Sequence, residues 1–157
     1  MNTLTAGDNA PLFSLKNQND EVVELATLLT EHQVLVYFYP KALTPGCTVQ
    51  AEQLRDHKEQ LADLNTVAVG ISPDPVKKLK NFETKKELNF DLLSDEDHAI
   101  ADAFGVWGLK KFMGKEYDGI HRLSFLVSKD GTIKHVFNKF KTKEHHQVVL
   151  DYISSNS

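Results

Sequence analysis

The chain has 157 residues, 41% hydrophobic and 25% charged, with 22 acidic and 18 basic side chains that give a net charge of −4. These are the proportions of an ordinary soluble globular protein, and acids and bases are interspersed along it, so nothing favours nucleic acid or an anionic membrane as a partner. One cysteine excludes an internal disulfide and makes a reducing compartment the simpler home.

At this length the expectation is one domain, residues 1–157, with a single core that needs no staple. The start, Met1-Asn-Thr-Leu-Thr-Ala-Gly-Asp8, has neither a basic opening nor an apolar stretch of signal length. The longest apolar run falls far short of a membrane span, so the expected location is the cytoplasm.

Residues 7–16 begin as turn chemistry and become extended. Gln18 to Glu21 then forms a hairpin turn into a strand over 22–25, with a short helix over 26–31. Residues 34–39, Val-Leu-Val-Tyr-Phe-Tyr, are an apolar run rich in β-branched and aromatic types that stops at Pro40, as a buried parallel strand does. A short polar loop leads to Thr44-Pro45-Gly46-Cys47. Thr44 is expected as an N-cap, Pro45 as the first helical residue and Cys47 as the third, in a helix that runs to about residue 62 with Val49, Leu54, Leu61 and Leu64 inward.

A second buried strand is predicted over 66–72, then a charged helix over 76–88 with Leu79 and Phe82 inward. Residues 91–95 give a short strand and a cap, and 96–104 a helix ended by Gly105. Residues 108–119 carry no clear period and are expected as a loop. Two strands, 121–128 and 132–137, flank Lys129-Asp130-Gly131 as a hairpin, and a helix over 143–154 closes the chain. The order implies an α/β fold with a mixed central sheet and helices on both faces, ending in the strand-strand-helix of a thioredoxin-like fold.

The junction at Cys47 is the candidate site. A lone cysteine is commonly a small buried hydrophobe, but such a residue has no need of a strand-to-helix turn built on Thr-Pro-Gly. In the first helical turn it meets unpaired N–H groups and the positive end of the helix dipole. A free thiol is only roughly 3% ionised at neutral pH, and raising a thiol to about 90% thiolate takes about 3.4 kcal/mol. A helix end supplies about 0.3–1 kcal/mol and at best about 2, so a further cation is required, and an arginine suits.

The segment Phe38-Tyr-Pro-Lys-Ala-Leu-Thr-Pro-Gly-Cys-Thr-Val-Gln-Ala51 resembles the active-site signature of the peroxiredoxins, in the branch called bacterioferritin comigratory protein or peroxiredoxin Q. Residues 92–98, 104–108, 112–115, 117–122 and 135–137 are similar to the same branch, so the resemblance spans about 3–155. It implies a thiol-dependent peroxidase, acting on hydrogen peroxide and organic hydroperoxides, in which Cys47 becomes a sulfenic acid. Thr44 would orient thiolate and peroxide, Arg122 would be the missing cation, Pro40 would shield the pocket floor, and the N–H groups of Gly46 and Cys47 would hold the leaving oxygen. Alone, Arg122 would be read as a strand-edge residue paired with a carboxylate, and Pro40 as the end of a strand. A hydroxyl that caps the Cys47 amide would make that amide less available to peroxide.

The branch often has a second cysteine, five residues after the first or in the following helix. Here those places hold Glu52 and Asn81-Phe-Glu-Thr84, so a one-cysteine cycle is expected, with thioredoxin, glutaredoxin or glutathione as the outside thiol. No cofactor or metal is expected; His145-His146 and the pair His121 and His135 lack ligand spacing. A dithiol oxidoreductase is excluded for want of Cys-x-x-Cys. A redox sensor acting through a Cys47 mixed disulfide remains as a second class. The branch tends to be monomeric, and an intermolecular Cys47 disulfide would make a covalent dimer on oxidation.

Overall fold

A computed structural model describes residues 1–156; the last residue of the expected domain, Ser157, lies outside them. Its elements, in chain order, are β1 Ser14–Asn17, β2 Val22–Glu24, α1 Leu25–Leu28, β3 Gln33–Phe38, α2 Pro45–Asp56, α3 Lys58–Asp63, β4 Thr66–Ser72, α4 Val76–Lys86, β5 Asp91–Ser94, α5 Ala99–Phe104, β6 Trp107–Phe112, β7 Lys115–Ile120, β8 Ser124–Val127, β9 Ile133–Phe137 and α6 His145–Ser155. Seven strands form one mixed sheet in the order β2-β1-β5-β4-β3-β8-β9. β3, β4 and β5 are parallel neighbours, and the remaining pairs are antiparallel. No helix among the described residues is long and apolar enough to cross a membrane.

β3 has neighbours on both sides and its residues alternate between two cores, which is why its sequence reads as unbroken apolar. Val34, Val36 and Phe38 pack with Leu25, Ala101 and Phe104 of α1 and α5. Leu35, Tyr37 and Tyr39 face the other way, against Ala51, Leu54, Leu61, Phe82 and Val149 from α2, α3, α4 and α6. Helices therefore cover both faces, as the element order implied. The second of these faces carries Cys47.

Three expectations need correcting. The helix after Cys47 does not run unbroken to residue 62: His57 leaves helical dihedrals (φ −113°, ψ 19°), and its ring Nδ1 bonds the Gln53 carbonyl at 2.8 Å, so the chain turns a corner between α2 and α3. Val49 is exposed, because the inward stripe of α2 is Cys47, Gln50, Ala51 and Leu54, at helical spacings of three, four and seven that leave residue 49 on the far side. Residues 108–119 are mostly not a loop but the hairpin β6–β7, a separate two-stranded sheet turning at Met113 (φ 51°) and Gly114 (φ 78°). Residues 111–118 are exposed on both faces, so no alternation was there to be read.

Smaller differences are of boundary. α5 starts at Ala99 rather than 96, with Asp95 accepting hydrogen bonds from the Ile100 and Ala101 amides at 3.1 and 2.9 Å. β8 starts at Ser124, leaving residues 121–123 as the connection that delivers Arg122.

Candidate active site

Cys47 is the third residue of α2, after Thr44 (φ −78°, ψ 153°) and Pro45 at the first helical position, as the sequence predicts. It is only 2% exposed. Its sulfur is nonetheless not an inert core atom: Arg122, in the connection before β8, donates a hydrogen bond from Nη2 to Cys47 Sγ at 3.3 Å. Two residues 75 positions apart in sequence meet because β3, which leads into α2, pairs with β8, which follows Arg122. No carboxylate pairs with this guanidinium among the described residues.

The other arm of Arg122 is held as well. Nη1 donates to Gln50 Oε1 at 2.6 Å, and Gln50 is fully buried one helical turn after Cys47. Sequence reasoning passed over Gln50 as one more residue of the motif. The signal was its spacing of three from Cys47, which puts both side chains on one face of the helix.

Thr44 departs from its expected role. It occupies the N-cap position without a side-chain cap bond; its hydroxyl instead donates to the Lys41 carbonyl at 2.8 Å. The competition for the Cys47 amide therefore does not arise, and the first-turn N–H groups are not consumed by that side chain. With its proton committed to Lys41, Thr44 Oγ1 is left as an acceptor. It makes no hydrogen bond to Cys47.

Pro40 sits half-buried between Tyr39 and the loop. That loop is pinned by Asp74, which lies between Pro73 and Pro75 in the turn after β4. Asp74, 6% exposed, accepts the Ala42 amide at 2.7 Å and the Ser72 hydroxyl at 2.8 Å. Its hold matters because Leu43, between Ala42 and Thr44, has φ 65°, a conformation a side chain with Cβ adopts at a cost of roughly 1–2 kcal/mol.

Behind the sulfur the wall is aromatic and polar. Tyr37 and Tyr39 stack at 5.5 Å, and both are buried. Burial pushes the Tyr37 phenol well above its ordinary pKa, Tyr39 and the Cys47 sulfur add to this, and Arg122 opposes it. Ser124 Oγ and His145 Nε2 share a hydrogen bond of 2.7 Å beside that ring. His145, with no exposed surface, has its pKa driven down to about 3 by desolvation first, then by Arg122 and His146. In front, the Thr142 methyl lies 3.6 Å from where a Cβ on Gly46 would stand, so the segment before α6 forms one lip of the site. No group of three or more His, Cys, Asp or Glu side chains that could hold a metal ion occurs among the described residues.

Comparison with known proteins shows what this chain is similar to. The profile of the AhpC/TSA family matches residues 6–136. A protein of Haemophilus influenzae named putative peroxiredoxin bcp is 59% identical over 155 residues, covering 99% of both chains. Peroxiredoxin Bcp of Escherichia coli is 56% identical over 157 residues, covering all of both. Among solved structures, peroxidoxin BcpB from Mycobacterium tuberculosis superposes with a TM-score of 0.86 at 31% identity over 97% of each chain. A Xanthomonas campestris bacterioferritin comigratory protein, described for its alkyl peroxide reduction activity, gives 0.86 at 29% identity over 95% of this chain and 99% of its own.

Proposed function

Since this chain belongs to the AhpC/TSA family, among the thiol-dependent peroxidases named peroxiredoxin Bcp, with their thioredoxin-like fold, we propose that Cys47 is its peroxidatic residue and that the whole chain works as one domain around it. The observation that carries this is the guanidinium of Arg122 at 3.3 Å from the sulfur, at the start of a helix whose capping side chain is turned away.

In the first half-reaction the Cys47 thiolate gives an electron pair to one oxygen of the hydroperoxide. An S–O bond forms as the O–O bond breaks, the sulfur is oxidised by two electrons, and the other oxygen departs as water or alcohol with the proton of the oxygen attacked. Arg122 and the amides of Gly46 and Cys47 donate to the oxygens as charge moves onto them, and preorganised donors of this kind act most where water is excluded. Thr44 Oγ1 accepts a hydrogen bond from the peroxide O–H and orients the molecule, and Pro40 keeps water from the pocket floor. The alkyl peroxide activity stated for the Xanthomonas relative supports including organic hydroperoxides among the substrates.

In the second half-reaction the sulfenate takes a proton from solvent, an outside thiolate attacks the sulfenic acid sulfur, and a second solvent proton meets the departing hydroxyl. Water leaves, a mixed disulfide forms, and a second thiol takes the donor's sulfur to regenerate Cys47. The chain has no other cysteine to do this, so both thiols come from the reductant, of the thioredoxin, glutaredoxin or glutathione type.

The test is peroxide turnover with each donor in turn, and mass spectrometry of the protein after excess peroxide. Cys47→Ser is expected to abolish turnover with every donor, and the native chain to gain oxygen atoms on Cys47. A native thiol left untouched by peroxide would overturn the assignment.

A further inference from the structure

The hairpin β6–β7 is not part of the main sheet, and its second strand ends at Ile120, two residues before Arg122, whose guanidinium holds the reactive sulfur. Its register pairs Lys110 with Tyr117 and Phe112 with Lys115, so these four side chains lie on one face. The other face supplies Trp107 and Ile120, which pack into the core on the far side of the sheet from Cys47. The stem of Lys110 and the ring of Tyr117 close over Gly119, at 3.3 and 3.4 Å from where a Cβ would stand, and Lys110 Nζ donates to the Ile120 carbonyl at 2.8 Å. Desolvation lowers the Lys110 pKa, Arg122 lowers it further and the Cys47 sulfur opposes both.

From Lys110 outward the face carries two aromatic rings, Phe112 and Tyr117, beside Lys115, with the turn residue Met113 at the tip. Phe112 is 65% exposed, Tyr117 47%, and Met113 at the tip 85%. Large aromatic and thioether side chains left in water together mark a contact surface. The surroundings are basic although the chain is acidic overall. Residues 107–122 hold four cations to two anions, and the opposite lip, residues 138–144, three lysines to one glutamate.

We propose that this hairpin face is the docking surface for the protein that returns electrons to Cys47, a thiol protein whose surface around its reactive sulfur is apolar and acidic. The proposal rests on the peroxidatic reading of Cys47 and names the partner of that site. Charge complementarity selects the acidic partner, since a basic rim steers an anionic one and repels a cationic one. Size selects a protein. From Lys110 to Met113 the face runs on the order of 10 Å at the rise of a strand, whereas a tripeptide thiol bonded to Cys47 through its middle residue extends roughly 4–7 Å to either side. It would not reach Phe112 or Met113.

The test uses the full chain and the double substitution Phe112→Ser with Lys115→Glu, at exposed positions outside the catalytic machinery. With thioredoxin as the reductant, the variant is expected to lose at least tenfold in kcat/KM for the reductant, and the fall in native rate with added KCl to flatten. Reaction of the reduced enzyme with hydrogen peroxide, and recycling by dithiothreitol, are expected to be unchanged. Equal loss with dithiothreitol and thioredoxin, no loss with thioredoxin, or equal loss with glutathione would each overturn the proposal; so would a native dimer in gel filtration that the variant dissolves, because a second copy would then cover the face. An NMR titration of the labelled chain with thioredoxin decides the matter without turnover: amide shifts confined to β6 and β7 and the lips of the site support it, and shifts elsewhere overturn it. Failure of the native thiol to react with peroxide would instead strike the assignment of Cys47, leaving the titration to judge the docking face.

Discussion

Arg122 works with both arms, one on Cys47 Sγ at 3.3 Å and the other on Gln50 Oε1 at 2.6 Å. A lysine carries the same charge but no fork, and cannot hold both positions at once. Hydrogen bonds to charged groups contribute about 1.5–3 kcal/mol each, which converts to roughly 10- to 150-fold in rate if the bond is made in the transition state. Arg122→Lys is therefore expected to slow the second-order reaction with hydrogen peroxide by about that range, read by stopped-flow; an unchanged rate would show that the second arm does nothing. At this scale Pro40, Thr44, Cys47 and Arg122 were singled out by the resemblance, and the structure brings Cys47 and Arg122 together. Asp74 and Gln50 were not. A carboxylate between two prolines looks like any turn, and a buried glutamine inside a helix looks like a surface residue until its partner, 72 positions away, is known.

Among the elements, α6 bears on the site through its first residue. His145 is anchored to Ser124 of β8, two residues beyond Arg122. Its folded pKa of about 3 lies below the ordinary value of 6.5. Between those limits the unfolded chain takes up a proton that the folded chain refuses. The contribution to stability is thus complete above about pH 6.5 and is lost as pH falls toward 3, at up to about 1.4 kcal/mol per pH unit. Urea unfolding at pH 4, 5, 6 and 7 should show His145→Gln losing less stability per unit than the native chain, with the smaller downward shifts of His146 and His135 retained in both. Parallel curves would mean that His145 titrates normally. The strands β3, β4 and β5 were readable as elements because each carries a run of apolar residues bounded by breakers. The hairpin β6–β7 was unreadable for the opposite reason: water lies on both sides of it. Nor did any glycine or proline announce the corner at His57.

In the molecule as a whole, two cores back onto one sheet, and on the Cys47 side the packing is tight where β3 meets β4. Gly70 of β4 stands where a Cβ would come within 2.8 Å of the Tyr37 ring and 2.9 Å of its hydroxyl. Gly70→Ala is expected to cost about 1–3 kcal/mol through overpacking, seen as a lower denaturant midpoint with an unchanged slope. A midpoint that holds steady would show that the ring can move aside. Because Tyr37 also backs the sulfur, the variant should lose peroxide reactivity along with stability. The fold class was legible from the order of elements, while the strand order was not. β8 reaches its place beside β3 only after the chain has laid down β4, β5 and the hairpin, and nothing local in residues 124–127 states which edge they join.

The near-complete burial of Cys47 has a kinetic corollary. A second sulfur can bond to it only by arriving in line and at bonding distance, yet solvent scarcely touches the residue. Something in the first turn of α2 or the lip around Thr142 has to swing out before the exchange, and that excursion sets a ceiling no abundance of donor can lift. Recycling should consequently plateau as donor is raised, at a value belonging to the breathing of this shell, while the smaller peroxide slips in without waiting.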